Sequence, residues 1–284
     1  MTLRFENVSK RFGALIAIDG VTLDFAPGQI TSVIGPNGAG KSTLINMAAG
    51  SYSVTAGRIL LDGIELQRLK KHQIAQEGVA RTYQNIRLFD GMTVLQNLEV
   101  CLFAELVGEA WAEVLLSGAA RRSRAARVER CRGELARFGL EPLAEAMAGD
   151  LSYGNQKLLE IARAAILRPK LLMLDEPAAG LNHAETESLK RRLRELMRPD
   201  LIMLVVEHDM SLVMALSDHI YVLHQGKLLF AGSPQEVQAN PAVQEAYLGS
   251  PGEIDQIRDT ARRRTNRVRI RADADIERRR PHSV

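Results

Sequence analysis

Gly35-Pro36-Asn37-Gly38-Ala39-Gly40-Lys41-Ser42 decides the fold of this chain. The run has the spacing GxxxxGK[ST]; it follows Ile30 to Ile34, a short stretch suited to a buried strand, and a helix is expected from Lys41 onward. Glycines at these places let the backbone curl until successive N–H groups converge on phosphate oxygens, and they permit close approach. The helix beginning at Lys41 adds the positive end of its dipole. Lys41 neutralises charge on the β- and γ-phosphates, the Ser42 hydroxyl is placed to ligate Mg2+, and Thr43 adds a donor near the α-phosphate. Strand, phosphate loop and helix in this order open a nucleotide-binding α/β domain. Taken alone, the loop does not say which nucleotide machine it serves.

Outward from the loop, Leu3 to Val8 and Val21 to Phe25 read as strands, with Pro27-Gly28 as a turn. A hairpin is expected at Asp62-Gly63, after Ile59-Leu60-Leu61. From about residue 93 to 167 the pattern becomes helical, with Leu95, Leu98 and Leu102 on one face and Val128, Leu135 and Phe138 on another. Strands return at Leu171 to Leu174 and Leu201 to Val206, near-continuous apolar runs of the kind buried on both faces of a parallel sheet. Asn182 followed by Glu185 has the spacing of a capping box. A last hairpin, Ile220 to Leu223 and Leu228 to Ala231, turns at Gln225-Gly226. An α/β core with β-rich ends thus encloses a helical insertion.

Composition is that of an ordinary globular chain. Apolar residues make up 46% and charged residues 25% of 284, which excludes a disordered chain. No apolar run approaches the roughly 18 residues that a spanning helix needs. The start, MTLRFENVSKRFG, lacks the apolar stretch of a signal peptide, so a cytoplasmic chain is expected, held at a membrane only by partners. Cys101 and Cys131 stand apart and read as reduced core residues, and the six histidines form no ligand pair, so no structural metal is expected. The net charge of +3 is uneven: residues 253–284 carry ten Arg against six acidic residues, leaving residues 1–252 at −1. The body therefore has no nucleic-acid footprint by charge. The tail reads as a solvated extension, with contact to anionic lipid headgroups through Arg262-Arg263-Arg264 and Arg278-Arg279-Arg280 as the alternative.

Leu171-Leu172-Met173-Leu174-Asp175-Glu176 is an apolar strand ending in two carboxylates. Asp175 is suited to hold Mg2+, directly or through its water shell. Glu176, one residue on, can accept a proton from an attacking water. In-line phosphoryl transfer needs that water placed and polarised more than it needs a strong base. By itself, Asp-Glu-Pro is equally good turn sequence.

Leu151-Ser152-Tyr153-Gly154-Asn155-Gln156, shortly before that strand, resembles the signature motif of ABC ATPases. Alone it would also serve as a helix N-cap through Ser152. Order and spacing carry the resemblance further. Gln84, in Arg81-Thr82-Tyr83-Gln84-Asn85, is similar to the Q-loop glutamine, and Ala178-Ala179-Gly180-Leu181-Asn182 stands where the D-loop should be. His208, in Val206-Glu207-His208-Asp209, resembles the switch histidine, and Phe12 stands where the family sets an aromatic ring against adenine. The resemblance covers about residues 2 to 249. RTYQNIRLF, MTVLQNLEV, LSYGNQKLLEIARA, LDEPAAGLN, VVEHDM and NPAVQEAYLG look like the ATP-binding subunits of branched-chain amino acid importers. Tyr153 and Asn155 depart from the commoner LSGGQ, and Asn182 from the commoner D-loop Asp.

The resemblance implies the P-loop NTPase ABC ATPase fold: a RecA-like core, an antiparallel β-subdomain and a helical subdomain at about 85–165, within an ATP-binding domain of 1–252. It implies ATP and Mg2+ as cofactors, with ATP held by residues 35–43 and Phe12, and by Ser152 and Gly154 of a second subunit. Ser42, Gln84 and Asp175 would face the metal; Glu176, His208 and Gln84 would act on the attacking water and γ-phosphate. It implies two integral-membrane permease subunits and a second ATP-binding subunit, alike or different, as partners, with a periplasmic or extracellular substrate-binding protein further off. The place implied is the cytoplasmic face of the inner membrane, peripherally bound. An importer for urea, amides or other amino acids is the nearest alternative. A soluble ABC ATPase acting on nucleic acid or ribosomes is more distant, because only 111 positions separate Lys41 from Ser152.

Overall fold

The computed structural model describes residues 2–106 and 117–248; the basic extension at 253–284 lies outside the described residues. Strands are Leu3–Phe12 (β1), Leu15–Phe25 (β2), Gln29–Ile34 (β3), Ala56–Leu61 (β4), Ile64–Glu65 (β5), Val79–Arg81 (β6), Leu171–Asp175 (β7), Ile202–Val206 (β8), His219–His224 (β9) and Lys227–Gly232 (β10). They form two sheets: an antiparallel one in the order β2-β1-β4-β5, and a six-stranded one in the order β10-β9-β3-β8-β7-β6. In the second sheet every pairing is parallel except β9 with β10.

Helices are Lys41–Ala48 (α1), Lys71–Gln76 (α2), Val94–Leu106 (α3), Ser117–Phe138 (α4), Tyr153–Ala165 (α5), His183–Leu196 (α6), Met210–Leu216 (α7), Pro234–Ala239 (α8) and Pro241–Leu248 (α9). Leu98 and Leu102 of α3, Cys131, Leu135 and Phe138 of α4, and Leu159 and Ala162 of α5 pack into one buried cluster. Each leucine or phenylalanine removed from water contributes roughly 1.5–3 kcal/mol, which makes the three helices one unit. Both cysteines are free, Cys131 buried and Cys101 partly so. Burial pushes the Cys131 thiol up to about 12.

The central sheet is buried on both faces, and its period of two sorts the side chains. Leu171, Met173, Ile202, Leu204 and Val206 join the cluster containing Leu44 and Ile45 of α1 and Phe5 and Phe25 of the antiparallel sheet. Leu172, Leu174, Met203 and Val205 join the cluster of α3–α5. Asp175 continues the odd-numbered set, so its carboxylate comes out on the face that carries α1. In an open α/β sheet, ligands bind outside the carboxyl ends of the parallel strands. Here those ends are Ile34, Arg81, Asp175, Val206 and His224.

Two local expectations needed extension. The first strands were expected at Leu3 to Val8 and Val21 to Phe25, but both run on until they meet at the Gly13 turn. Ser9 to Phe12 has no apolar alternation of its own and is held as a strand by pairing, with Phe12 opposite Leu15 and Ser9 opposite Ala56. Val79–Arg81, three residues long, carries too little pattern to be read as a strand. It exists because Val79, Ala80 and Arg81 pair with Leu171, Leu172 and Met173.

Candidate functional site

The phosphate loop is wedged into the fold as well as shaped for a ligand. Gly38 and Gly40 have φ of 80° and 102°, where a side chain is strained. At Gly40 a Cβ would also lie 2.6 Å from the Ala17 carbonyl oxygen, and at Gly35 one would collide with the carbonyl of Leu223. The loop is tied to the β9–β10 turn, since Gly226 N–H donates to Ala39 O at 3.2 Å and Asp19 N–H to Gly226 O at 2.9 Å. Lys41 donates to Gly35 O at 2.6 Å and Pro36 O at 3.1 Å, so its ammonium lies across the loop that would cradle phosphates. Asn37, Gly38 and Ser42 are exposed at its rim, and Ala39 packs inward. This curled backbone, crossed by a lysine and opening a helix, fits a nucleotide's phosphate chain.

Phe12 lies at the tip of β1, 42% exposed. Tyr52 meets its ring edge-on at 5.2 Å between centroids, and Lys10 Nζ stands 4.8 Å from the ring centre. An exposed aromatic ring of this kind is what a nucleobase would stack on.

Asp175 is 4% exposed and faces the guanidinium of Arg81. Arg81 Nη2 donates to Asp175 Oδ2 at 3.2 Å and Nη1 donates to Asn46 Oδ1 at 2.8 Å. Asn46 in turn donates to Ser42 O at 2.7 Å, which links α1, β6 and β7. Burial pushes the Asp175 carboxyl above its ordinary value, the Arg81 charge opposes this, and the neighbouring Glu176 adds to it. The signal for Arg81 in the sequence is faint: it is a charge at the end of a strand too short to recognise.

Glu176 leaves the strand with φ of 49°, a left-handed conformation costing about 1–2 kcal/mol for a residue with a Cβ. It is held there by its N–H donating to Val206 O at 2.8 Å. Gln84 Nε2 donates to Glu176 Oε2 at 3.1 Å, and His208 Nδ1 stands 3.8 Å from Glu176 Oε1. Gln84, Glu176 and His208, which are 92 and 32 positions apart in sequence, thus meet beside Asp175.

Two buried charges on α5 brace the Gln84 segment. Lys157 Nζ donates to Gln84 O at 3.3 Å, and Glu160 Oε1 accepts the Tyr83 N–H at 3.2 Å. Burial raises the Glu160 carboxyl, with the Tyr83 N–H and Lys157 pulling it back. Arg81 and Arg87 lie against the Tyr83 ring at 4.9 and 4.5 Å. The positions of Lys157 and Glu160 on a helix were visible in sequence; their targets were not.

Ser152 caps α5, accepting the Asn155 N–H at 3.4 Å, and is itself exposed. Gly154 is buried, and a Cβ there would collide with the Glu185 carboxylate. The capping box expected on α6 is present: Glu185 N–H donates to Asn182 Oδ1 at 3.0 Å and Asn182 N–H to Glu185 Oε2 at 2.9 Å.

Comparison with known proteins gives concordant matches. Residues 18–179 match the family described as ABC transporter, and residues 227–253 match the one described as branched-chain amino acid ATP-binding cassette transporter. The high-affinity branched-chain amino acid transport ATP-binding protein BraF of Pseudomonas aeruginosa is 46% identical over 248 residues, 87% of this chain and 97% of that one. LivG of Escherichia coli, with the same description, is 44% identical over the same shares. A crystal structure of an ATP-binding cassette of an ABC transporter in its ADP conformation superposes with a TM-score of 0.75 at 30% identity, covering 88% of this chain and all of that one. A dimeric cassette in a post-hydrolysis state, bound to ADP and Pi, superposes at 0.69 with 25% identity, over 82% of this chain and 98% of that one.

Proposed function

Because the chain belongs to the ABC transporter family of ATP-binding cassettes, whose members hydrolyse ATP, we propose that it energises an importer of branched-chain amino acids. The observation that supports the catalytic reading best is the convergence of Gln84, Glu176 and His208 beside Asp175 at the carboxyl edge of the sheet. The ATP-binding unit in this reading is residues 1–252, with a helical subdomain at about 85–165.

Residues 35–43 hold the phosphates of ATP through main-chain N–H groups, the Lys41 ammonium and the Ser42 and Thr43 hydroxyls, while Phe12 supports the base. Ser42, Gln84 and Asp175 offer a hydroxyl, a carboxamide and a carboxylate, an all-oxygen donor set that suits a hard cation. Bound there, Mg2+ would supply charge neutralisation to the β- and γ-phosphates. Glu176 takes the proton of the attacking water. Its carboxylate is oriented by the Gln84 carboxamide and by its strained backbone, so it needs little rearrangement at the moment of reaction. His208, 3.8 Å from Glu176, would meet the γ-phosphate and stabilise the charge that develops there.

The chain works as half of a dimer, in which Ser152 and Gly154 of one subunit complete the ATP site of the other, identical or related, subunit. Their setting supports this: Ser152 is solvent-exposed and caps α5, whose N-terminus favours an anion. Among the described residues no helix is long and apolar enough to cross a membrane. The likeness to transport ATP-binding proteins leads the reading to set two permease subunits in the bilayer and this chain on their cytoplasmic face, with an external substrate-binding protein delivering the amino acid.

Glu176→Gln tests the assignment. ATP binding should persist while turnover falls by about a hundredfold or more, the scale of a lost general base. Hydrolysis should also rise when the membrane partners are added. Turnover by Glu176→Gln at the wild-type rate would remove Glu176 from the mechanism.

A further inference from the structure

Glu207 has no part in the chemistry above, yet it is fully buried, at 0% exposure, one residue before His208. A carboxylate withdrawn from water this completely is costly unless donors surround it. Three main-chain N–H groups do so. Ala178 donates to Oε1 at 2.8 Å, His208 to Oε2 at 3.1 Å and Asp209 to Oε2 at 3.5 Å. The two oxygens therefore grip two different loops: the turn that follows Asp175 and Glu176, and the loop that carries His208.

The first of these loops also presses on the Ser152–Gly154 segment of the same chain. A Cβ on Gly180 would lie 2.8 Å from Cε1 of Tyr153, and one on Gly154 would collide with Glu185, the residue that closes the α6 capping box. Contacts are thus continuous from Tyr153 and Gly154, through residues 178–185, to Glu207 and His208. His208 Nδ1 then stands 3.8 Å from the carboxylate of Glu176. Displacing either loop without the other leaves a buried donor or acceptor unpaired, so the carboxylate makes them move together.

We propose that Glu207 is a positioning residue that couples the Tyr153–Gly154 edge of the chain to His208, and so links the two nucleotide sites of a dimer. This rests on the dimeric ATPase reading above. On that reading, Ser152 and Gly154 sense the partner's nucleotide, and residues 178–185 carry their position inward. Glu207 delivers it to the group that faces the γ-phosphate.

The test compares purified full chains at concentrations that allow pairing: wild type, Glu207→Gln, Glu207→Asp, His208→Ala, and His208→Ala combined with each Glu207 variant. Turnover is read together with the affinity for a fluorescent ATP analogue. An amide keeps one acceptor oxygen and must turn its NH2 toward one of the N–H donors. Glu207→Gln should therefore lower kcat by about tenfold, the scale of one hydrogen bond lost to a charged acceptor, with affinity changed by less than about twofold. Glu207→Asp, which keeps both acceptor oxygens on a shorter arm, should recover part of the rate. Added to His208→Ala, either change should cause no further loss, because the effect passes through His208. If the glutamine variant does not fold, the aspartate pair carries the same comparison. An unchanged kcat, a parallel loss of affinity, or losses that multiply with His208→Ala would each overturn the proposal. Absence of hydrolysis by the wild type would instead overturn the ATPase reading on which it stands.

Discussion

Replacing Arg81 by Met removes the guanidinium from Asp175 while keeping a side chain of similar length. The two side chains are 10% and 5% exposed, so solvent screens the pair little. Removing one partner of a buried ion pair costs about 3–5 kcal/mol, because the remaining charge stays desolvated. Two features set the expected value toward the lower end. Lys157 still contributes favourable charge, and burial already raises the Asp175 carboxyl, so it neutralises by protonation more readily than an ordinary aspartate. The hydrogen bond to Asn46 at 2.8 Å adds about 1 kcal/mol of loss. A destabilisation of about 4 kcal/mol is therefore expected, read as a lower denaturant midpoint at unchanged slope. The sign of its pH dependence follows from the raised carboxyl. A carboxylate whose folded pKa lies above its unfolded value destabilises progressively as pH rises past the unfolded value of about 3.9. The deficit of Arg81→Met should accordingly be smaller near pH 5 than near pH 7. It should also shrink when Mg2+ and nucleotide are present, since a bound cation would replace the lost charge. Equal midpoints for variant and wild type, or a deficit that ignores pH and Mg2+ alike, would refute the reasoning.

Two further outcomes follow from local geometry. Asn182→Ala removes the side-chain acceptor of the Glu185 N–H, leaving only the main-chain half of the α6 capping box, and should cost about 1 kcal/mol in denaturant unfolding, whereas Asn182→Asp, an equally good cap, should stay within a few tenths; equal losses in both would contradict the capping account. His219 is half-buried against Tyr221 at 4.8 Å, and burial lowers its pKa, with Glu236 opposing. The unfolded chain binds that proton more readily, so the stability involved is present above about pH 6.5 and is lost as pH falls below it. His219→Gln should flatten this part of the stability–pH curve, and an unaltered curve would remove His219 as its source.

What the amino-acid order determined by itself was everything that depends on neighbours along the chain. The loop from Gly35 to Ser42 is legible because it needs particular residue types at fixed spacing. The buried strands at Leu171 to Leu174 and Leu201 to Val206 are legible because both faces are apolar. The capping box at Asn182 closes within four residues. Asp175 and Glu176 could be read as a pair because strand period and strand end are local properties.

Tertiary structure decided which of these local features touch. Arg81 meets Asp175 across 94 positions only because β6 is the edge strand beside β7, and three residues of β6 carry no periodic pattern to announce it. Glu207 appeared in the sequence as one acidic residue next to a histidine; its burial and its hold on Ala178, 29 positions earlier, arise from β8 lying against β7. Lys157 and Glu160 likewise acquire a role only when α5 is laid against the Gln84 segment. The physical reason is common to all three. A buried charge is tolerable only where partners satisfy it, those partners come from distant strands, and strand order is set by packing the whole sheet rather than by any local run of residues.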